Sequence, residues 1–118
     1  MDEQQRIDAY IKQMMEIKAK KDNEQVKADL KAISQELGMS DDDLQAIEEE
    51  RKKLILLGKG FIDHQQADDA LLALEKAYAL NPDDAETLSL LAQAHGMKFV
   101  QTGQQQYKKK SEEYAAQA

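Results

Sequence analysis

Cysteine and tryptophan are missing from this chain, proline occurs once, and aromatic residues make up only 5% of its 118 positions. Without cysteine there can be neither a disulfide nor a thiolate zinc site. No apolar run approaches the ~20 residues of a membrane span. The opening stretch, MDEQQRIDAYIKQ, is acidic and lacks the apolar centre of a signal peptide. A soluble, cytoplasmic protein is therefore the expectation, with no membrane partner. The formal net charge of -7 argues against non-specific nucleic-acid binding and against an anionic bilayer.

What is present is alanine, leucine, glutamine, glutamate and lysine in abundance, the composition of an all-α chain of about one domain. Ile7, Tyr10, Ile11, Met14 and Ile17 fall at helical spacing, and so do Val26, Leu30, Ile33 and Leu37. At ~100° per residue, one straight helix would aim these two stripes in different directions. Asp22 and Asn23 are good caps and Gln25 can close a capping box. The spacing predicts two helices over about 3–20 and 23–37, or one bent helix, stopped at Gly38. Ser40 then caps a long helix to about Asp63, with Asp41, Asp42 and Asp43 in its first turn. Its early turns offer Leu44 and Ile47 as a docking strip for the first helices. Its charged block is expected to pair Glu48 with Lys52 and Glu49 with Lys53 on a solvated face.

From Leu54 to Pro82 the chain reads as two antiparallel helices. Leu54, Leu57 and Phe61 share one face of the first, and Ala70, Leu74 and Ala77 one face of the second. Gly58 and the alanines lie where the two must approach closely. As a pattern this is Leu54-x-x-Leu57-Gly58-x-x-Phe61, then Ala70-x-x-x-Leu74, then Pro82. It resembles the tetratricopeptide repeat of ~34 residues, W-x-x-L-G-x-x-Y, then A-x-x-x-F, then P.

A second repeat is expected after Asn81–Asp84, with Pro82 in the first helical turn and the acidic residues at the helix start. At the repeat period Leu54, Leu57 and Gly58 map onto Leu88, Leu91 and Ala92, and Phe61 onto His95. Gln104 is a poor match for Ala70, whereas Ser111, Ala115 and Ala118 fit about seven residues later, close to two helical turns. This predicts lengthened helices around a turn near Thr102–Gly103 and a last helix carrying Tyr107, Ser111 and Tyr114.

The resemblance spans about 51–118. It implies antiparallel helix-turn-helix repeats, an α-solenoid over 39–118, behind an N-terminal helical cap at 1–38. It also implies a non-enzymatic module that binds a protein or peptide in a groove lined by the first helix of each pair. On this chain the groove would carry Lys52, Ile55, Lys59 and Ile62, then Ser89, Gln93, Met97 and Val100. The two lysines flanking two isoleucines suit an acidic, amphipathic partner segment. The family's clamp for acidic chaperone tails needs Lys and Asn one turn apart, where this chain has Ile55 and Lys59, with Leu90 at the next Asn slot. A chaperone tail is therefore not expected. The alternative is a structural unit that self-assembles, as a homodimer through Tyr107, Tyr114, Ala115 and Ala118 on the outer side of the last helix.

No nucleophile-and-base set, carboxylate pair or ligand cluster stands out, so no catalytic, cofactor-binding or metal residue is assigned. His64, beside Asp63 and near Asp68 and Asp69, reads as a polar turn. His95 reads as a packed core residue with a satisfied ring nitrogen. Asp41–Asp43 and Asp83–Asp84 read as caps rather than calcium loops. Met14 and Met15 read as core, and Lys108–Lys110 is too short a run for nucleic acid.

Overall fold

The computed structural model describes residues 2–18 and 32–118, and all regular structure in them is helical. The helices are α1 (Glu3–Lys18), α2 (Asp41–Asp63), α3 (Ala67–Leu80), α4 (Ala85–Thr102) and α5 (Gln105–Gln117). A short helical stretch at 32–36 precedes α2. The expected break near Asp22–Asn23, the positions Val26 and Leu30, and the choice between one helix and two lie outside the described residues, as does the Ile17 side chain. Among the described residues no helix is long and apolar enough to cross a membrane.

Local chemistry sets the helix ends. Gly38 stands at φ +66°, where its N–H donates to Gln35 O and the Met39 N–H to Ser34 O. That is a Schellman stop, favoured by glycine's freedom in the left-handed region. Ser40 caps α2 and forms a reciprocal capping box with Asp43. The α2–α3 turn uses the same stop with a less suitable residue, Gln65, at φ 58°. After α3, Asn81 is extended (φ -153°), as a residue before proline must be. Pro82 lies in that turn and not in the helix that follows, because Asp84 is the N-cap and α4 starts at Ala85. Asp84 accepts from the Thr87 N–H at 3.1 Å and the Thr87 hydroxyl at 2.6 Å. Gly103, left-handed at φ 71°, ends α4 at the turn anticipated there.

The short α2–α3 connection and the contact of Gly58 with Leu74 make that pair an antiparallel hairpin. A Cβ on Gly58 would lie 2.5 Å from Leu74 Cδ2. The α4–α5 pair is built the same way. There the Ser111 hydroxyl donates to Ala92 O at 2.7 Å, and a Cβ on Gly96 would sit 3.4 Å from Ser111 Oγ. The close approach in the second hairpin thus uses Gly96 as well as the Ala92 that the repeat spacing selects. Contacts from Lys59 to Glu86 and from Gln101 to Gln65 run the first helices of the two hairpins, α2 and α4, in parallel.

Helix α3 lies at the centre. Ala73, Ala77, Ala79 and Leu80 join a core with Ile7, Tyr10, Met14, Ile33, Ile47, Leu54 and Ile55. Ala70, Leu74 and Tyr78 join a second core with Leu88, Leu91, Ala94 and Tyr114. Its alanine-rich faces are thus covered from two directions, while Asp68, Asp69 and Leu72 remain on its open side. α1 supplies part of that cover, its Tyr10 hydroxyl pushed up to about 12 by burial.

Three expectations about α2 need correction. Leu57 is 53% exposed and Leu44 43% exposed, because the buried stripe follows Asp43, Ile47, Leu54, Ile55 and Gly58. At ~100° per residue, Leu57 falls well to one side of the line set by Gly58. The strip that receives α1 pairs Ile47 with Asp43 rather than Leu44, and Asp43 accepts from Arg6 Nε at 3.0 Å and Nη2 at 2.9 Å. The expected Glu48–Lys52 pair gives way to Glu48–Arg51.

Gly58 and Gly60 should respond in opposite senses to alanine. A Cβ on Gly60 would meet nothing within 4 Å, so G60A should add about 0.5–1 kcal/mol from helix propensity. At Gly58 the same gain is outweighed by overpacking against fully buried Leu74, leaving a loss of about 1–2 kcal/mol. Urea melts of the two variants check this. The Arg6 fork holds the Asp43 carboxyl below its ordinary range. Its stabilisation is therefore complete above the unfolded carboxylate range near ~3.9 and is lost as pH falls through the lowered folded value. Wild type should lose urea resistance below about pH 4 more steeply than D43N.

Candidate functional site

The positions named for a partner groove divide in the structure. Lys52 and Lys59 are exposed, while Ile55 is 7% exposed and belongs to the core that includes α1. Ile62 is half-buried against the second core. Ser89, Gln93 and Val100 are exposed and Met97 is half-buried, along α4. Lys52, Ile55 and Lys59 come together around a shallow depression of about 330 Å³, with Arg51, Leu56, Asp84 and Glu86. Ile62, Ser89, Gln93 and Met97 do not line it. Its apolar surface comes from Leu56, 66% exposed, which the repeat spacing does not single out. Helical periodicity gives the reason: the one-residue step from Ile55 to Leu56 turns ~100°, from the core to the open side.

The electrostatics of this depression differ from a plain basic strip. Lys59 Nζ is 2.5 Å from Glu86 Oε1. Arg51 Nη1 is 3.1 Å from Asp84 Oδ2, and Arg51 also forks onto Glu48. The Arg51 side chain is only 11% exposed, so it is not part of a solvated charge run. It ties the middle of α2 to the N-cap of α4, and with Lys59–Glu86 it joins the two hairpins through charge. The signal for Asp84 as a cap was legible. That a residue thirty-three positions earlier would reach it was not.

A second cluster forms around His95, which is 8% exposed on α4. Its ring stacks on Tyr114 with centroids 5.4 Å apart and faces Tyr107 at 6.2 Å. Tyr114 meets Tyr78 edge-on at 5.5 Å. The expected packing is there, but the expected satisfied nitrogen is not: neither Nδ1 nor Nε2 has a hydrogen-bond partner. Nε2 lies 3.7 Å from Glu75 Oε1, too long for a hydrogen bond. Tyr114 is 8% exposed and Tyr107 half-buried. The outward aromatic face on which self-association was expected is therefore turned inward, leaving Ala115 and Ala118 outside. The sequence showed aromatic residues on the last helix but not which side of it faced the core. Elsewhere, His64 and Asp63 are exposed, and Asp68 accepts from Lys98 Nζ at 2.6 Å. Among the described residues no group of three or more potential metal ligands forms.

Comparison with protein-family models, curated proteins and solved structures gives no match.

Arg51 is the clearest structural residue of the depression. Arg51→Ala takes the cation from Glu48 and from Asp84, which keeps its bonds from Thr87, and both carboxylates are partly hydrated. The expected cost is about 1–2 kcal/mol, below the range for a fully buried pair. Urea denaturation measures it, and the loss should shrink in about 1 M salt.

Proposed function

We propose that the chain is a non-enzymatic protein-interaction module, a tetratricopeptide-like array of helical hairpins that holds a peptide or partner helix between α2 and α4. One observation carries the reading. Exposed Leu56 sits in a depression between two parallel first helices, ringed by Arg51, Lys52, Lys59, Asp84 and Glu86. An apolar side chain of a partner would cover Leu56, and the surrounding charges would set its direction. The motif from Leu54 to Pro82 supports the same reading.

The partner segment is expected to be amphipathic with acidic flanks, since Lys52 and Lys59 project beside the apolar contact. Charge complementarity would act chiefly on association rate and salt dependence. Because Lys59 already holds Glu86, a partner carboxylate must displace it. That keeps the electrostatic share of the affinity modest and leaves the apolar contact as the larger part.

The test uses a partner recovered by affinity capture from a lysate and then purified. Calorimetry at low salt should give a Kd at least about tenfold weaker, ~1.4 kcal/mol, for K52E/K59E than for wild type. Leu56→Ser should weaken binding by a similar factor, and both variants should keep the wild-type circular-dichroism melt to within a few degrees. An unchanged Kd in both would place the partner elsewhere on the molecule.

A further inference from the structure

The face of α2 turned away from its buried stripe carries residues that its own molecule does not account for. At ~100° per residue, Lys53, Leu56, Gly60 and Asp63 fall within about 80° of one another around the helix. Lys53, Leu56 and Asp63 are exposed, with exposed Leu57 beside them. A Cβ on Gly60 would meet nothing within 4 Å, so no internal contact explains a glycine there, where it weakens the helix relative to alanine. Asp63 is the last residue of α2, whose final turn holds no basic residue, and the macrodipole disfavours a carboxylate at that end. Among the described residues neither Asp63 nor Lys53 has an ion-pair partner, and the anticipated Glu49–Lys53 pair does not form. Local choices that break a rule without a gain inside the fold point to a contact outside it.

We propose that this face docks a second copy of the chain, with α2 antiparallel to α2 of the other copy about a two-fold axis. The spacing identifies the occupant. Lys53, Leu56, Gly60 and Asp63 are separated by steps of 3, 4 and 3 residues, which read the same in either direction. A two-fold axis midway between Leu56 and Gly60 therefore sets Leu56 of each copy opposite Gly60 of the other, and Lys53 opposite Asp63. Large meets small and cation meets anion, each twice, as an isologous contact requires. Parallel helices in register would instead set Lys53 on Lys53 and leave Gly60 on Gly60. The antiparallel contact also brings a cation to the C-terminal end of each α2, where the dipole favours one.

The paired residues span about 15 Å of helix, so the dimer belongs to the weak, transient class of interfaces. Leu56 also lines the depression between α2 and α4. A docked copy covers it, and a segment bound in the depression and the dimer exclude each other. The inference does not rest on that segment, because Lys53, Gly60 and Asp63 do not line the depression.

Sedimentation equilibrium of the full chain, with no other protein present, reads the dimer Kd between about 10 µM and about 1 mM, the range of a weak contact. Gly60→Leu should weaken the dimer at least about tenfold by filling the space that Leu56 of the other copy takes. Its urea melt at low concentration should show no loss of stability, since that side of α2 is open. Lys53→Asp sets like charges face to face and should weaken the dimer by a similar factor at low salt. The double variant K53D/D63K restores opposite charges and should return the Kd to within about threefold of wild type. A wild-type chain that stays monomeric throughout that range overturns the proposal. So does a Kd unmoved by Gly60→Leu, or a charge swap that recovers nothing of what Lys53→Asp loses. Should Gly60→Leu fail to fold, the charge swap decides alone.

Discussion

The closeness of α2 to α3 is the constraint on which the other contacts rest. Gly58 lets the backbone of α2 sit directly on Leu74, in space that a single methyl group would fill. Once that distance is set, α3 is held deep in the molecule. Its alanines at 70, 73, 77 and 79 can then be covered from opposite sides without leaving voids. Larger residues would push the layers apart, while smaller ones would cost helix propensity. An alanine-rich central helix is therefore a solution to being covered on both sides in a chain with few aromatics.

Charge is used with the same economy of position. The Arg6 fork on Asp43 fixes α1 to the first turn of α2, where Asp43 also completes the capping box. Arg51 joins α2 to the cap of α4, and Lys98 joins α4 to the first turn of α3. In each case a carboxylate already placed near a helix N-terminus, where the macrodipole favours it, also receives a cation from another helix. Such pairs add little individually at the surface. Their combined effect is to fix orientation: they connect α1, α2, α3 and α4 at particular turns, where apolar packing alone would permit sliding. The depression around Leu56 is shaped by the same pairs, so its charges serve the fold before they can serve a partner.

Much of this architecture is legible in the chain. Caps, stops and turns depend on the chemistry of a few neighbouring residues. Gly38, Ser40, Asp84 and Gly103 accordingly act as their types and positions indicate. The hairpin faces of α3 at Ala70, Leu74 and Ala77 also follow, since periodicity and residue size agree there. The candidate site was legible only in part. Lys52 and Lys59 could be placed on one face, but Leu56 could not be distinguished from the run of apolar residues around it. Where leucine and isoleucine occupy consecutive positions, periodicity does not say which of them faces inward.

Helical character, the positions of the turns and the small residues that let two helices touch can all be read from the chain, because these depend on short-range backbone and steric chemistry. That Leu57 is exposed and Ile55 buried, that Arg51 reaches Asp84, and that Glu75, His95 and Tyr114 meet emerges only from the packed helices. Those outcomes depend on how each helix is rotated about its axis when several others pack on it. A rotation of one residue, ~100°, exchanges core for surface, and its choice is made by all the neighbouring helices together.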